Sequence, residues 1–157
     1  MVVFLLFALT CSTEPTTLPV AQWRHLTFVA GHFEITYPPC WTLSSETSSD
    51  AGLILLSPDA SFDISVQFRE QHLARSAAEI QFGELSRNHE RCTVGGKRHK
   101  CVAWEDRSGF HKFIPIFVGN RGYLIYVSSH DSSAEKWNSE AATILRTLKF
   151  TTDKGAG

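Results

Sequence analysis

Residues 110–129 read FHKFIPIFVGNRGYLIYVSS, two strand-length runs rich in aromatic and β-branched residues with only Gly-Asn-Arg-Gly between them. A gap that short has no room for a parallel crossover, which takes about a dozen residues or more, so the two strands must lie antiparallel. Glycine and asparagine tolerate the positive φ that a tight hairpin demands. Pro115 cannot donate to a ladder, so an edge position or a bulge is expected there.

The same logic extends in both directions. HFEITYPPCW alternates Phe33, Ile35 and Tyr37 and then stops at Pro38-Pro39, which reads as a strand ended by a turn. SSETSSD is a polar loop, and GLILLSPDASFDISVQF gives two strands around Pro-Asp. In the second of these, Phe62, Ile64, Val66 and Phe68 face inward while Asp63, Ser65 and Gln67 face outward. The first, Leu53 to Leu56, is apolar on both faces, which predicts a central strand covered twice.

Two segments change period. Ala74, Ala77, Ala78, Gln81, Phe82 and Leu85 follow a helical stripe, weakened slightly by Gly83. Near the end, Ser132 with Glu135 forms a capping-box pattern, followed by Ala134, Trp137, Ala141, Ile144, Leu145 and Leu148 at helical spacing. Trp137 reads as core. The order is three strands, a helix, four strands and a helix. The fold class is therefore α+β: a largely antiparallel sheet of about six to seven strands with helices packed on it.

The segment RCTVGGKRHKC, residues 91–101, joins two of those strands, and two registers are open. A Gly96-Lys97 loop of type II′ sets Cys92 opposite Cys101 in a non-hydrogen-bonded pair, with Cα atoms about 4.5 Å apart. That is within disulfide geometry. A Gly95-Gly96 loop instead sets Cys92 opposite His99 and leaves the thiols diagonal. The first register is favoured, with a Cys92–Cys101 disulfide fixing it. A metal site from Glu90, Cys92, His99 and Cys101 is the competing use, but structural zinc prefers cysteines two to four residues apart. Lys97, Arg98 and Lys100 give a basic tip suited to an acidic partner surface.

The N-terminus MVVFLLFALTCSTEPTT carries an apolar run, Val2 to Leu9, far too short to span a bilayer. It fits the apolar part of a secretory signal over residues 1–11, although no Lys or Arg precedes it. Cys11 resembles a bacterial lipid-attachment cysteine, with Ala8 and Thr10 departing from that motif. Residues 12–22 then read as linker, 23–152 as one domain and 153–157 as a flexible tail. Export places the chain outside the cytoplasm, where disulfides persist.

The opening ITYPPCW with Tyr37, Pro38 and Trp41, the Gly96-Lys97 turn before a long strand, and YLIYVSS feeding a helix that ends ILRTLKF occur in that order. Over residues 30–150 this resembles the PsbP-like fold family. The family includes the photosystem II subunit PsbP, DcrB-type envelope lipoproteins and a Ran-binding transport protein. The resemblance implies an α/β/α sandwich and a mostly non-catalytic role in binding or assembly.

The chemistry-bearing residues support the same expectation. The 7 histidines form no His-x-x-x-His, and neither a Gly-x-Ser-x-Gly elbow nor a P-loop occurs. His130-Asp131 is a conceivable start of a triad but is more simply a turn and cap. Cys40, beside Trp41, reads as a small buried apolar residue. A net charge of −1 without a basic stripe gives no support to nucleic-acid or anionic-lipid binding. No cofactor is expected. The leading reading is an exported, non-enzymatic binding or assembly module of the cell envelope with a protein partner, reaching the membrane only through an N-terminal lipid. A small hydrolase or metal-dependent protein using distant histidines, and a periplasmic immunity or inhibitor protein, are the alternatives.

Overall fold

The computed structural model describes residues 11–44, 52–85, 88–130 and 132–151, with the backbone alone for 132–134. The apolar run Val2–Leu9, the loop 45–50, Asp131, the Ser132 side chain and the tail 153–157 lie outside the described residues.

Among the described residues, ten strands and two α-helices follow one another. They are β1 (Arg24–Phe28), β2 (Phe33–Tyr37), β3 (Thr42–Leu43), β4 (Gly52–Leu56), β5 (Phe62–Glu70), α1 (Gln71–Glu84), β6 (His89–Val94), β7 (Lys97–Asp106), β8 (Gly109–Val118), β9 (Arg121–Ser129), α2 (Asn138–Thr147) and β10 (Lys149–Phe150). A 3-10 helix over Ser132–Trp137 leads into α2, so the start of the expected terminal helix is wound more tightly than its remainder. The strands form a seven-stranded sheet, β3-β4-β5-β9-β8-β7-β6, and a three-stranded sheet, β1-β2-β10. Every ladder among the described residues is antiparallel.

Alternation explains the layers. On the inner face of the large sheet, Phe62, Ile64, Val66, Tyr123, Ile125, Ile114 and Ile116 are buried under α2 and the small sheet, which contribute Ile144, Leu145, Phe33 and Ile35. On the outer face, α1 sets Ala74 and Ala78 against Val102, Phe113 and Leu124. Small residues on α1 let the helix lie close to the sheet.

Three expectations change. Leu53–Leu56 is not a central strand: β4 has only the two-residue β3 beyond it, and Ile54 and Leu56 stay half-exposed. Its apolar outer face is tolerated near an edge. The β7–β8 ladder ends at Val102↔Phe113, so Pro115 lies beyond it in an otherwise interior strand. A proline there forfeits no bond to β7. The hairpin register is the third correction. Val94 pairs with Lys97 and Cys92 with His99, so the loop is Gly95-Gly96. Both glycines have positive φ, +56° and +76°, the signature of a type I′ turn, whose twist matches the flanking strands. The Gly95 N–H also donates to Leu145 O in α2 at 3.0 Å, a tertiary contact that selects this register.

A Cβ on Gly95 would lie 2.5 Å from Leu148 O, whereas one on Gly96 would meet nothing within 4 Å. Gly96→Ala is expected to cost only the left-handed backbone term of about 1–2 kcal/mol. Gly95→Ala should cost more, because the hairpin must also lift off α2. Urea unfolding midpoints check the order; equal losses would mean the Gly95 contact contributes nothing.

Candidate functional site

The disulfide Cys92–Cys101 bridges β6 and β7 diagonally, with Cα atoms 6.1 Å apart and both side chains facing the core. It does not need the directly opposed register, because diagonal neighbours on one face are within its reach. Glu90, Cys92 and Cys101 bring possible ligand atoms within 4.8 Å of one another. The two sulfurs are bonded to each other, so neither is the thiolate that binds metal. Burial lowers the affinity of the His99 ring for a proton, with Lys97 adding to the effect and a backbone contact at Val94 opposing it.

The basic tip divides across the hairpin. Residues of β7 alternate, so Arg98 and Lys100 share the outer face and Lys97 projects on the other. Arg91 joins the outer pair, because it lies directly opposite Lys100. Arg91, Arg98 and Lys100 are all exposed, and with His89 and Glu90 they line a shallow hollow of about 380 Å³. The acidic member, Glu90, points to the inner face and meets Lys112 Nζ at 3.5 Å. Among the described residues, none of the three outer cations is ion-paired. Two anchors hold this surface: the disulfide, and the Gly95 contact with α2.

Histidines gather at the other end of the sheet. Asp63, Ser128, His111 and Trp104 form one cross-strand row on the outer face beyond α1, with the His111 ring stacked on Trp104 at 5.2 Å. His111 Nε2 meets Asp106 Oδ1 at 3.2 Å and Ser108 Oγ at 2.9 Å, and Nδ1 meets Ser128 Oγ at 3.4 Å. A catalytic triad needs the acid and the nucleophile on opposite ring nitrogens. Asp106 and Ser108 share Nε2, so those two form no triad with His111, and the Ser108 hydroxyl donates to Asp106 at 2.6 Å. Ser128 is on the other ring nitrogen, at a distance longer than the ordinary reach of a general base. The Ser108 N–H also donates to Asp106 at 2.8 Å, so the group is a side-chain-capped turn. Those two Ser108 bonds, then His111, hold Asp106 at about 2.

His130, next to the undescribed Asp131, pairs instead with Asp63, 67 residues away, at 3.0 Å. Burial raises the Asp63 carboxyl, and His130 and His111 only partly oppose this. A cleft of about 540 Å³ beside this end is lined by Glu105, Asp106, Phe110, His130, Glu135 and others.

Two buried tryptophans each find a carboxylate. Trp41 Nε1 donates to Glu140 Oε2 at 2.6 Å, and Trp137 Nε1 to Asp59 Oδ1 at 3.0 Å. Asp59 also accepts from Ser57, from the Ser61 hydroxyl and N–H, and from Lys136. Burial raises this carboxyl, but the Ser61, Ser57 and Lys136 bonds outweigh it and hold it well below the usual range. The segment read as linker is tied to this region. Thr16 N–H donates to Glu140, and Cys11 is disulfide-bonded to Cys40, so Cys40 is neither free nor simply an apolar filler. Lipid attachment at Cys11 would use the same sulfur, so the two are mutually exclusive.

Sequence reasoning missed Arg91, the Asp63–His130 pair and the Cys11–Cys40 bridge. Arg91 was legible, one position from Cys92 in an alternating strand, once the register was known. The other two join residues far apart in the chain and leave no local signal.

No family model matches the chain, and no curated protein matches it. Solved structures do share its fold. A Bacteroides thetaiotaomicron protein superposes with a TM-score of 0.57 and 12% identity over 84% of this chain and 50% of that one, so the chain spans half its length. Cyanobacterial PsbP (CyanoP) from Synechocystis gives 0.55 and 10% over 88% and 98%. The Ran-binding protein Mog1p of Saccharomyces cerevisiae gives 0.50 and 11% over 82% and 95%. The chain has the PsbP-like fold. At these identities the likeness concerns the fold alone.

Asp59 makes acid stability testable. Its folded carboxyl is more acidic than the unfolded one, so its stabilisation is complete above about pH 4 and is lost as pH falls below that. Asp59→Asn keeps an oxygen for Trp137 but cannot titrate. Between about pH 4 and pH 2 the melting temperature of the native protein should fall more steeply than that of the variant. Parallel slopes would assign the acid sensitivity to other groups.

Proposed function

We propose that this chain is a non-enzymatic binding module that works outside the cytoplasm at the cell envelope, and that it meets a protein partner through the outer face of the β6–β7 hairpin. The observation that carries this reading is the exposed trio Arg91, Arg98 and Lys100, unpaired among the described residues and held by a disulfide and by α2. Rigid, uncompensated charge steers a partner of opposite sign and lowers the ordering cost of binding. The two disulfides fit an oxidising compartment. One protein of this fold, Mog1p, is named for binding another protein, Ran.

The double variant R98E/K100E tests the reading, since both side chains are exposed. It should melt like the native protein yet lose partners that the native protein captures from envelope extract in a salt-sensitive way. An unchanged partner set would remove the hairpin from the interface.

In the form with a Cys11–Cys40 bond, the sulfur of Cys11 carries no lipid. Intact mass of the natively exported protein is expected to show cleavage ahead of Cys11, both disulfides and no acyl chain. Acyl mass on the N-terminal peptide would show that Cys11 is a lipid anchor and that the bridge belongs to a different form.

A further inference from the structure

We infer that β6 is a strand-addition edge whose occupant is an extended acidic segment of a protein partner; the inference rests on the reading of the hairpin as an interface and names the mode of recognition there. The large sheet ends in two unequal edges, the two-residue β3 and the six-residue β6. Of these two described edges, β6 is the one long enough to template another strand.

The register states which of its backbone groups are free. Val94 and Lys97 close a two-residue loop, so they exchange hydrogen bonds, and bonded and non-bonded pairs alternate from there. Val94, Cys92 and Glu90 therefore turn their N–H and C=O groups to β7. Thr93, Arg91 and His89 turn theirs to the open edge, where no described group hydrogen-bonds to them. Three donors and three acceptors stand in a row at the spacing an added strand requires.

The side chains state what the added strand carries. Those of His89, Arg91 and Thr93 lie on the outer face, beside Lys100 and Arg98. Residues of an added strand that face the same way would lie next to Arg91, so acidic residues at alternate positions match it. Glu90, the one acid of β6, is on the opposite face with Lys112. A second copy of this chain is disfavoured, because two β6 edges would set arginine against arginine.

The probe is a synthetic peptide of about ten residues that alternates Glu and Val, with a partner version N-methylated at alternate amides. The measurement is residue-resolved hydrogen exchange on the full chain with disulfides intact. The peptide should slow exchange of the Arg91 and Thr93 amides by about tenfold or more, and the effect should fade with salt and in R98E/K100E. The N-methylated peptide should not bind when methylated on its edge-facing amides. Thr93→Pro, which removes one outward donor and no bond to β7, should also lose binding; the methylated peptide keeps the test valid should that variant misfold.

Binding that survives methylation of each set of alternate amides in turn, or protection elsewhere, would overturn the inference. So would peptide-independent protection of the same amides with dimerisation, or equal binding of a single-stranded oligonucleotide without amide protection. If R98E/K100E loses its partners while methylation has no effect, strand addition fails and the interface reading stands. If charge reversal changes nothing, both fail.

Discussion

Two indoles meet edge to face inside this protein, Trp41 and Trp137, with centroids 6.0 Å apart, and both are fully buried. Each brings an N–H that cannot be left unmatched away from water. The carboxylates that answer them come from different elements: Glu140 from α2 and Asp59 from the turn between β4 and β5. The pair therefore joins the start of α2, the chain just before β3 and that turn. Removing one partner would strand a buried donor, at a cost of about 1–3 kcal/mol. With the beginning of α2 fixed in this way, its far end is positioned as well. There the Leu145 carbonyl receives Gly95 of the hairpin.

The hairpin inherits its geometry from that helix. Either glycine-containing loop was stereochemically available, and local preference alone did not choose. The α2 contact admits only a residue with no Cβ at position 95 and closes the loop one residue earlier than Gly96-Lys97 would. A shift of one position in the loop changes which residues oppose one another and which backbone groups face outward. The disulfide is indifferent to this choice, because it spans a diagonal as readily as a direct pair. The edge is not indifferent, since the register alone determines that Arg91 and Thr93 present free amides.

What could be read from the sequence was what depends on local period. The inward set Phe62, Ile64 and Val66, the β8–β9 hairpin, the Ala74–Ala78 face of α1 and the burial of Trp137 all follow from alternation or helical spacing. The expected fold class and the likeness to PsbP agree with the structure. What could not be read depends on distant partners. β1 is largely exposed and, among the described residues, pairs with β2 alone, so its alternation is faint. β3 and β10 are two residues each and exist only because a neighbouring strand completes them. Cys40 looked apolar because its partner, Cys11, lies 29 residues earlier in a segment read as the end of a signal. At the candidate interface, the basic residues were visible as a run, but their division between two faces followed only from the pleat.

Charge on an exposed edge strand has an ordinary purpose, which is to prevent sheets from joining edge to edge. That purpose and partner recognition are compatible here, because they act on different strands. Arginine at the centre of β6 repels a second β6 and attracts an acidic strand, while the free amides that make the edge hazardous are the same groups that would hold a partner. Most edges are blunted by making them short, as β3 is. β6 is left at six residues, stapled by one disulfide and docked on α2 through its turn. An edge kept long, rigid and cationic on one face excludes its own kind by charge and stays open to its opposite.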